Sequence, residues 1–392
     1  MSVEARAVLL CPDGGDLRLA SVLVSEPLGA EVQVEVRAVG VCHSDLHLVG
    51  FPHTGPVIPG HEVAGVVTAV GPDVASVAVG DHVAVTLVAW CGSCAACVSG
   101  QSYRCENPGA TARPEGAGPR LALADGMAVA AGFGVGGFAS YVLVHRNQVV
   151  RVPSSLPFEQ AALLGCGTLT GVGAVLNGAR VEAGESVVVL GCGGVGLSVI
   201  QGAVLAGASR IVAVDLNQGA VDAALSVGAT AGVCAAGLSP EETVEAIRAA
   251  GVVAGAGVPG GEANADGGSA AGGVGLDHAF EVVGLPATTR QAVRSLRVGG
   301  RAHLIGLHRP GNLTELDLML DVIQPQRGIQ GIFMGQACVP RDVPRYAELA
   351  LAGRLDLGRL VGSTVSLGDV PSALAALRSG VVGRTVVTEL VA

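Results

Sequence analysis

Valine recurs at alternate positions along residues 32–39, VQVEVRAV, with Gln33, Glu35 and Arg37 between, which is the pattern of a strand with one buried face. Residues 62–70, 82–88 and 139–144 read as further short strands, interrupted by loops rich in Gly, Pro and Cys. The first part of the chain, to about residue 165, therefore predicts a β-rich domain that carries its chemistry on loops. From about Gly167 the texture changes. Apolar segments at 186–190, 210–214, 230–234, 276–283, 301–306 and 328–333 alternate with Ala-rich helical stretches, and six strands so spaced predict an α/β domain with a doubly wound parallel sheet. After Phe333 a helical stretch and a last β segment, 384–390, are expected to return to the first domain. The expected division is 1–166 with 334–392, and 167–333.

Composition supports two packed cores. The chain has 392 residues, more than one core usually serves, with half of them apolar and 14% charged. Aromatics make up only 3%, so Val, Ala and Leu must fill the interior. One stretch fits no element: residues 251–275 hold ten Gly and six Ala, with Glu262 and Asp266 the only charges, and read as a flexible insertion. The net charge of -10 argues against nucleic acid and anionic membrane surfaces as partners. All 23 basic residues are Arg, which excludes a lysine Schiff base and leaves anion recognition to Arg, His and backbone N–H groups. The N-terminus lacks the basic start and long apolar centre of a secretory signal, so a cytoplasmic protein is expected. Residues 127–144 and 187–209 carry no charge, yet their glycines and turn signals argue against membrane spans.

Ten cysteines in such a protein are expected to be thiols rather than disulfides. Four of them, Cys91, Cys94, Cys97 and Cys105, form C-x-x-C-x-x-C-x7-C on a Gly/Ser-containing loop. Four thiolates fill the tetrahedral corners of a zinc ion and leave no position for substrate, so this zinc would be structural. A second motif, Gly191-Cys192-Gly193-Gly194-Val195-Gly196, follows an apolar strand and opens a helical stretch, as a dinucleotide pyrophosphate site requires. Asp215 ends the next strand 19 residues later, where its carboxylate would accept ribose hydroxyls and repel a 2′-phosphate, favouring NAD. Cys11, Cys234 and Cys338 sit in no metal spacing and are expected to be small buried residues, while Cys192 is placed to approach the cofactor.

The order GVCHSDLH, GHE, the four-Cys lobe, GCG and GCGGVG closely resembles the zinc-containing medium-chain alcohol dehydrogenases, within the medium-chain dehydrogenase/reductase superfamily. The resemblance covers essentially the whole chain, with 251–275 as the main departure. It implies a GroES-like catalytic domain, a Rossmann cofactor domain, two zinc ions per chain and NAD. Cys42, His61 and Cys166 fall on the catalytic zinc ligands, a Cys2His set that leaves one position open. Asp45 and Glu62 fall beside them as acidic groups that orient the ligating imidazole. Ser44 and His47 are implied as the proton relay. His43 and Arg384 are implied as pyrophosphate contacts, with Thr170 and Val195 near the nicotinamide. Gln218 stands where many relatives carry a basic residue. The stretch 109–138 resembles the loop that lines the substrate pocket, with Phe138 facing it, and its Ala, Val, Leu and Phe133 suit an apolar or aromatic primary alcohol or aldehyde. A thiol-adduct formaldehyde dehydrogenase, using glutathione or mycothiol, and a reductase of C=O, C=N or conjugated C=C bonds are the alternatives. The resemblance also implies a homodimer or homotetramer joined through the cofactor domain near 304–333.

Overall fold

The computed structural model describes residues 2–12, 16–51, 53–252, 275–378 and 380–390. Most of the expected insertion at 251–275 lies outside the described residues. The chain forms two compact units, Met1–Leu169 with Ala337–Ala392, and Thr170–Gln336, each boundary three residues beyond the division read from the sequence.

The valine-alternating segment is the strand Glu31–Gly40, and it organises the first unit. It pairs with Glu62–Val70, with Tyr141–His145 and, through Val386 and Val387, with the C-terminal strand Arg384–Glu389. The rest of this seven-stranded sheet is Val149–Arg151, His82–Val85 and Val361–Ser366. A second sheet of five strands is built on the hairpin Val3–Leu10 with Leu17–Val24, which the sequence reading did not name. Valines dominate the core between them, with Leu9, Ile58, Phe138 and Leu143 among the largest buried side chains. Burying each such side chain is worth about 1.5–3 kcal/mol. The strand expected at 82–88 ends at Val85. A seven-residue helix, α1 (His43–Val49), follows the central strand directly.

The second unit is a six-stranded, wholly parallel sheet: β1 (Ser186–Leu190), β2 (Arg210–Asp215), β3 (Ala231–Cys234), β4 (Leu276–Glu281), β5 (Leu296–Leu304) and β6 (Gly328–Gly331). Their order is β3-β2-β1-β4-β5-β6, the reversal beside β1 that marks a doubly wound fold. Helices α2 (Gly194–Ala206), α3 (Pro240–Gly251) and α4 (Pro286–Ser295) connect them. The fifth strand starts at Leu296 rather than 301. Gly299 (φ 78°) and Gly300 look like a turn in the sequence, but they sit within the strand where its register with β4 shifts, as at a bulge. Among the described residues no helix is long and apolar enough to cross a membrane, and the charge-free run 187–209 is strand, glycine turn and helix.

Candidate functional site

The end of the central strand, the start of α1 and the start of Glu62–Val70 converge in the first unit. Asp45 joins them. Its Oδ2 accepts from the Cys42 N–H (3.0 Å), and its Oδ1 accepts from the Gly60 N–H (3.0 Å) and faces His61 Nδ1 at 3.1 Å. Asp45, His61 and Glu62 are fully buried. With Nδ1 so engaged, His61 Nε2 is the free ring nitrogen, and it has no hydrogen-bond partner.

Ligand atoms of Cys42, His61, Glu62 and Cys166 all lie within 4.8 Å of one another. Two thiols, an imidazole nitrogen and a carboxylate oxygen thus cluster together, and this donor chemistry fits zinc. The hydrogen bond with Cys166, aided by Arg384, draws the Cys42 thiol well below its ordinary value, toward the thiolate that ligates metal. Burial pushes Glu62 up to about 7 against the pull of Arg384. Glu62 Oε1 accepts from Arg384 Nη2 (3.1 Å) and from the Gly167 N–H (3.2 Å) beside Cys166. Arg384 is buried as well, and its Nη1 donates to the Val41 carbonyl (3.1 Å). The residue implied as a pyrophosphate contact therefore has inward partners that no local motif announced.

Ser44 and His47 are half-buried on α1, three residues apart and so on neighbouring positions of one face. Ser44 Oγ lies 3.7 Å from Cys42 Sγ. His43 is exposed at the start of α1.

The expected pocket residue needs correcting. Phe138 is 0% exposed and belongs to the core of the first unit, where its ring and N–H occupy the space beside Gly60. The ring beside the donor set is that of Phe133, centred 4.7 Å from the His61 ring in an edge-on arrangement. Phe133 has φ 53°, a left-handed backbone that a sequence reading does not expect at a phenylalanine. The stretch 109–138 is also more built than a pocket loop. It contributes Leu121–Ala122 and Ala130–Ala131 to the five-stranded sheet, and Arg113 and Arg120 each bond buried Glu31 at 2.7 Å.

The thiols of Cys91, Cys94, Cys97 and Cys105 lie within 4.8 Å of one another. Cys91 Sγ accepts from the Ser93 and Cys94 N–H groups (3.5 and 3.3 Å), which draw it down to about 6, and Cys105 Sγ accepts from the Cys91 N–H (3.2 Å). Burial pushes Cys97 up to about 12. Trp90 and Asn147 hold the lobe's base by reciprocal bonds of 2.6 and 2.7 Å. Four sulfurs with N–H support fit a closed zinc site.

In the second unit, the turn after β1 has the form a pyrophosphate needs. Gly191 has φ 99°, and a Cβ on Gly196 would lie 1.9 Å from the Gly191 carbonyl, so both positions require glycine. A Cβ on Gly193 would meet nothing within 4 Å, so this glycine borders open space at the start of α2, which Gly194 and Val195 begin. Asp215 closes β2. Its Oδ2 accepts from the Cys192 N–H (2.8 Å) and its Oδ1 from the Asn217 N–H (2.9 Å). Cys192 does not face a cofactor: it is fully buried and its Sγ turns to the Val214 carbonyl. Thr170 is buried, with Oγ1 3.7 Å from Met334 Sδ, and Gln218 bonds Asp222 (2.8 Å). Of the other cysteines Cys11 is buried as expected, whereas Cys234 and Cys338 are half-buried, Cys338 at the N-cap of the helix Val339–Leu351.

Residues 29–154 match the family described as alcohol dehydrogenase GroES-like domain, and 194–352 the family described as zinc-binding dehydrogenase. S-(hydroxymethyl)glutathione dehydrogenase of Paracoccus denitrificans is 31% identical, over 98% of this chain and all of the relative. That of Synechocystis is 32% identical with the same coverage. The crystal structure of benzyl alcohol dehydrogenase from Acinetobacter calcoaceticus superposes with a TM-score of 0.85 over 99% of each chain, at 28% identity. An alcohol dehydrogenase zinc-binding domain protein from Burkholderia ambifaria reaches a TM-score of 0.86, covering 99% of this chain and all of its own, at 32% identity. Both units and nearly the full length thus agree: a GroES-like unit and a Rossmann-type unit make up a chain that belongs to the zinc-containing medium-chain alcohol dehydrogenase family.

Proposed function

We propose that this family member is an NAD-linked dehydrogenase that exchanges hydride between an apolar or aromatic primary alcohol and its aldehyde. The observation that carries the reading is the buried donor set of Cys42, His61 and Cys166, with the His61 ring fixed by Asp45 and flanked by Phe133. Zinc held by those residues supplies Lewis acidity toward an alcohol or carbonyl oxygen, and NAD supplies the hydride partner.

The chain's own groups do the rest. Asp45 accepts the Nδ1 proton of His61 and so presents Nε2 as a lone-pair donor. Ser44, beside Cys42, accepts the hydroxyl proton, and His47 passes it to solvent. Phe133 supplies an apolar wall that suits an aromatic or medium-chain substrate. Asp215 keeps lone pairs for ribose hydroxyls and repels a 2′-phosphate, which favours NAD over NADP. Thr170 and Val195 serve the nicotinamide end, and His43 and Arg384 the pyrophosphate. Cys91, Cys94, Cys97 and Cys105 hold a second, structural zinc.

The relatives named S-(hydroxymethyl)glutathione dehydrogenase favour a second reading, oxidation of a formaldehyde–thiol adduct. Following NADH absorbance with a panel of aliphatic and aromatic alcohols, and with formaldehyde in the presence and absence of glutathione or mycothiol, separates the two. Turnover of simple apolar alcohols without thiol is expected. Turnover only with formaldehyde and a thiol replaces the first reading by the second, and turnover with neither leaves a reductase, identified by its products with deuterated NADH.

We also propose a homodimer or homotetramer. Leu318, Met319, Leu320 and Ile323 are each at least 60% exposed in the unit that contains the edge strand β6, an apolar concentration larger than scattered surface residues explain.

A further inference from the structure

The second unit carries a cluster of arginines that shares no residue with the glycine turn or Asp215. A cavity of about 330 Å³ is lined by Arg248 of α3, Arg290 and Arg294 of α4, and Arg327 just ahead of β6. Arg290 and Arg294 are four apart and share one face of α4.

Among the described residues one of these guanidiniums forms an ion pair. Arg294 forms a bidentate pair with Asp321 (2.9 and 3.2 Å), which is itself 5% exposed. Arg248 donates to the Arg294 carbonyl and Arg327 to the Leu296 carbonyl (2.7 Å), partners that satisfy hydrogen bonds but not charge. The Nε atoms of Arg248, Arg290 and Arg327 are buried without any hydrogen-bond partner. Glu241 and Glu245 also line the cavity, but they stand exposed on α3, and among the described residues no ion pair joins them to these arginines. Burial and the neighbouring Arg248 hold Arg327 below its ordinary value. Four guanidiniums thus face three carboxylates, Glu241, Glu245 and Asp321, around one cavity, and the surplus positive charge together with the three unpartnered Nε–H groups favours an anion there.

We propose that this cavity binds a small doubly charged oxyanion of the phosphate class, free or as a phosphomonoester, at a site separate from the cofactor's. Guanidinium forks match a tetrahedral oxyanion through paired N–H donors, and the unpartnered Nε–H groups are donors of that kind. Its volume exceeds a bare phosphate and admits a small organic group. In this protein without lysine, such recognition falls to arginine.

The test is thermal unfolding of the zinc-loaded, full-length protein in chloride, inorganic phosphate and glycerol phosphate at matched ionic strength. Phosphate is expected to raise the melting temperature saturably by roughly 3 to 8 °C. Arg290→Gln, and the double variant Arg290→Gln with Arg327→Gln, are expected to lose that shift while melting at or above the parent in chloride, since no ion pair is removed and repulsion is relieved. Alcohol oxidation by Arg290→Gln without phosphate is expected to equal the parent's. Equal shifts with both probes identify phosphate itself as the ligand; a larger one with glycerol phosphate identifies a monoester. No shift in the parent overturns the proposal. So does a shift that survives in both variants, because phosphate then binds elsewhere, the glycine turn included. Variants that melt well below the parent in chloride also overturn it, by making the arginines structural partners.

Discussion

The Asp45 carboxylate and the His61 imidazole face each other at 3.1 Å, both without solvent exposure, and the same carboxylate takes the N–H groups of Cys42 and Gly60. Three features of the candidate metal centre thus hang on one side chain: the ring's orientation, the start of α1 and the approach to Glu62–Val70. Asp45→Ala is expected to weaken zinc at this centre about 10- to 100-fold. Chelator competition with metal analysis would show one zinc lost early and the other retained; two zincs leaving together, as in a general loss of fold, would contradict this.

Cys42→Ala and Cys94→Ala separate the two thiol groups. The first is expected to abolish turnover, remove about one zinc per chain and leave circular dichroism unchanged. The second is expected to damage folding, since closed zinc sites contribute folding energy directly. Full activity in either variant would dissolve the corresponding assignment.

The two phenylalanines should part company. Phe138→Ala removes a fully buried ring and is expected to lower stability by about 3–5 kcal/mol, read by denaturant unfolding. Phe133→Ala, beside His61, should cost far less stability and instead raise KM for aromatic alcohols. A reversed outcome would return Phe138 to the pocket.

Asp215→Ser should relax cofactor choice by at least about tenfold in the ratio of kcat/KM for NAD to that for NADP, since the repelling carboxylate goes. It also removes acceptors for the Cys192 and Asn217 N–H groups, so a stability loss of about 1–3 kcal/mol is expected alongside. An unchanged ratio would mean that Asp215 does not face the ribose.

Acid should find a weak point in the second unit. Glu185, His278 and His303 form a chain, with His278 2.9 Å from each neighbour, and burial together with His278 pushes His303 down to about 3. An unfolded histidine titrates near 6.5, so the unfolded chain takes up a proton that the folded one refuses. Stability is complete above pH 6.5 and falls toward pH 3, by at most about 1.4 kcal/mol per pH unit from this residue. Unfolding midpoints at pH 8 and pH 5.5 should differ less in His303→Gln than in the parent; equal differences would remove His303 as the cause.

The features legible from sequence alone are those whose geometry is local. The glycine turn needs one strand, one turn and one helix, and positive φ at Gly191 with close approach at Gly196 follows from residue type over six positions. The four-Cys lobe closes across a sequence separation of 14, and valine alternation marks its strand wherever that strand pairs. The buried donor set is another matter. Cys42, His61 and Cys166 are marked in the sequence only by a family likeness, because the contacts that assemble them join segments far apart in the chain, as in the bond from Gly167 to Glu62 across 105 residues. Only the tertiary structure could bury Arg384 against Glu62, give Phe133 rather than Phe138 the place beside His61, and gather four arginines from three segments around one cavity. Chain pattern dictates which face of an element is apolar. Which side chains then meet depends on pairing register and on backbone conformations such as φ 53° at Phe133, and neither has a local sequence signal.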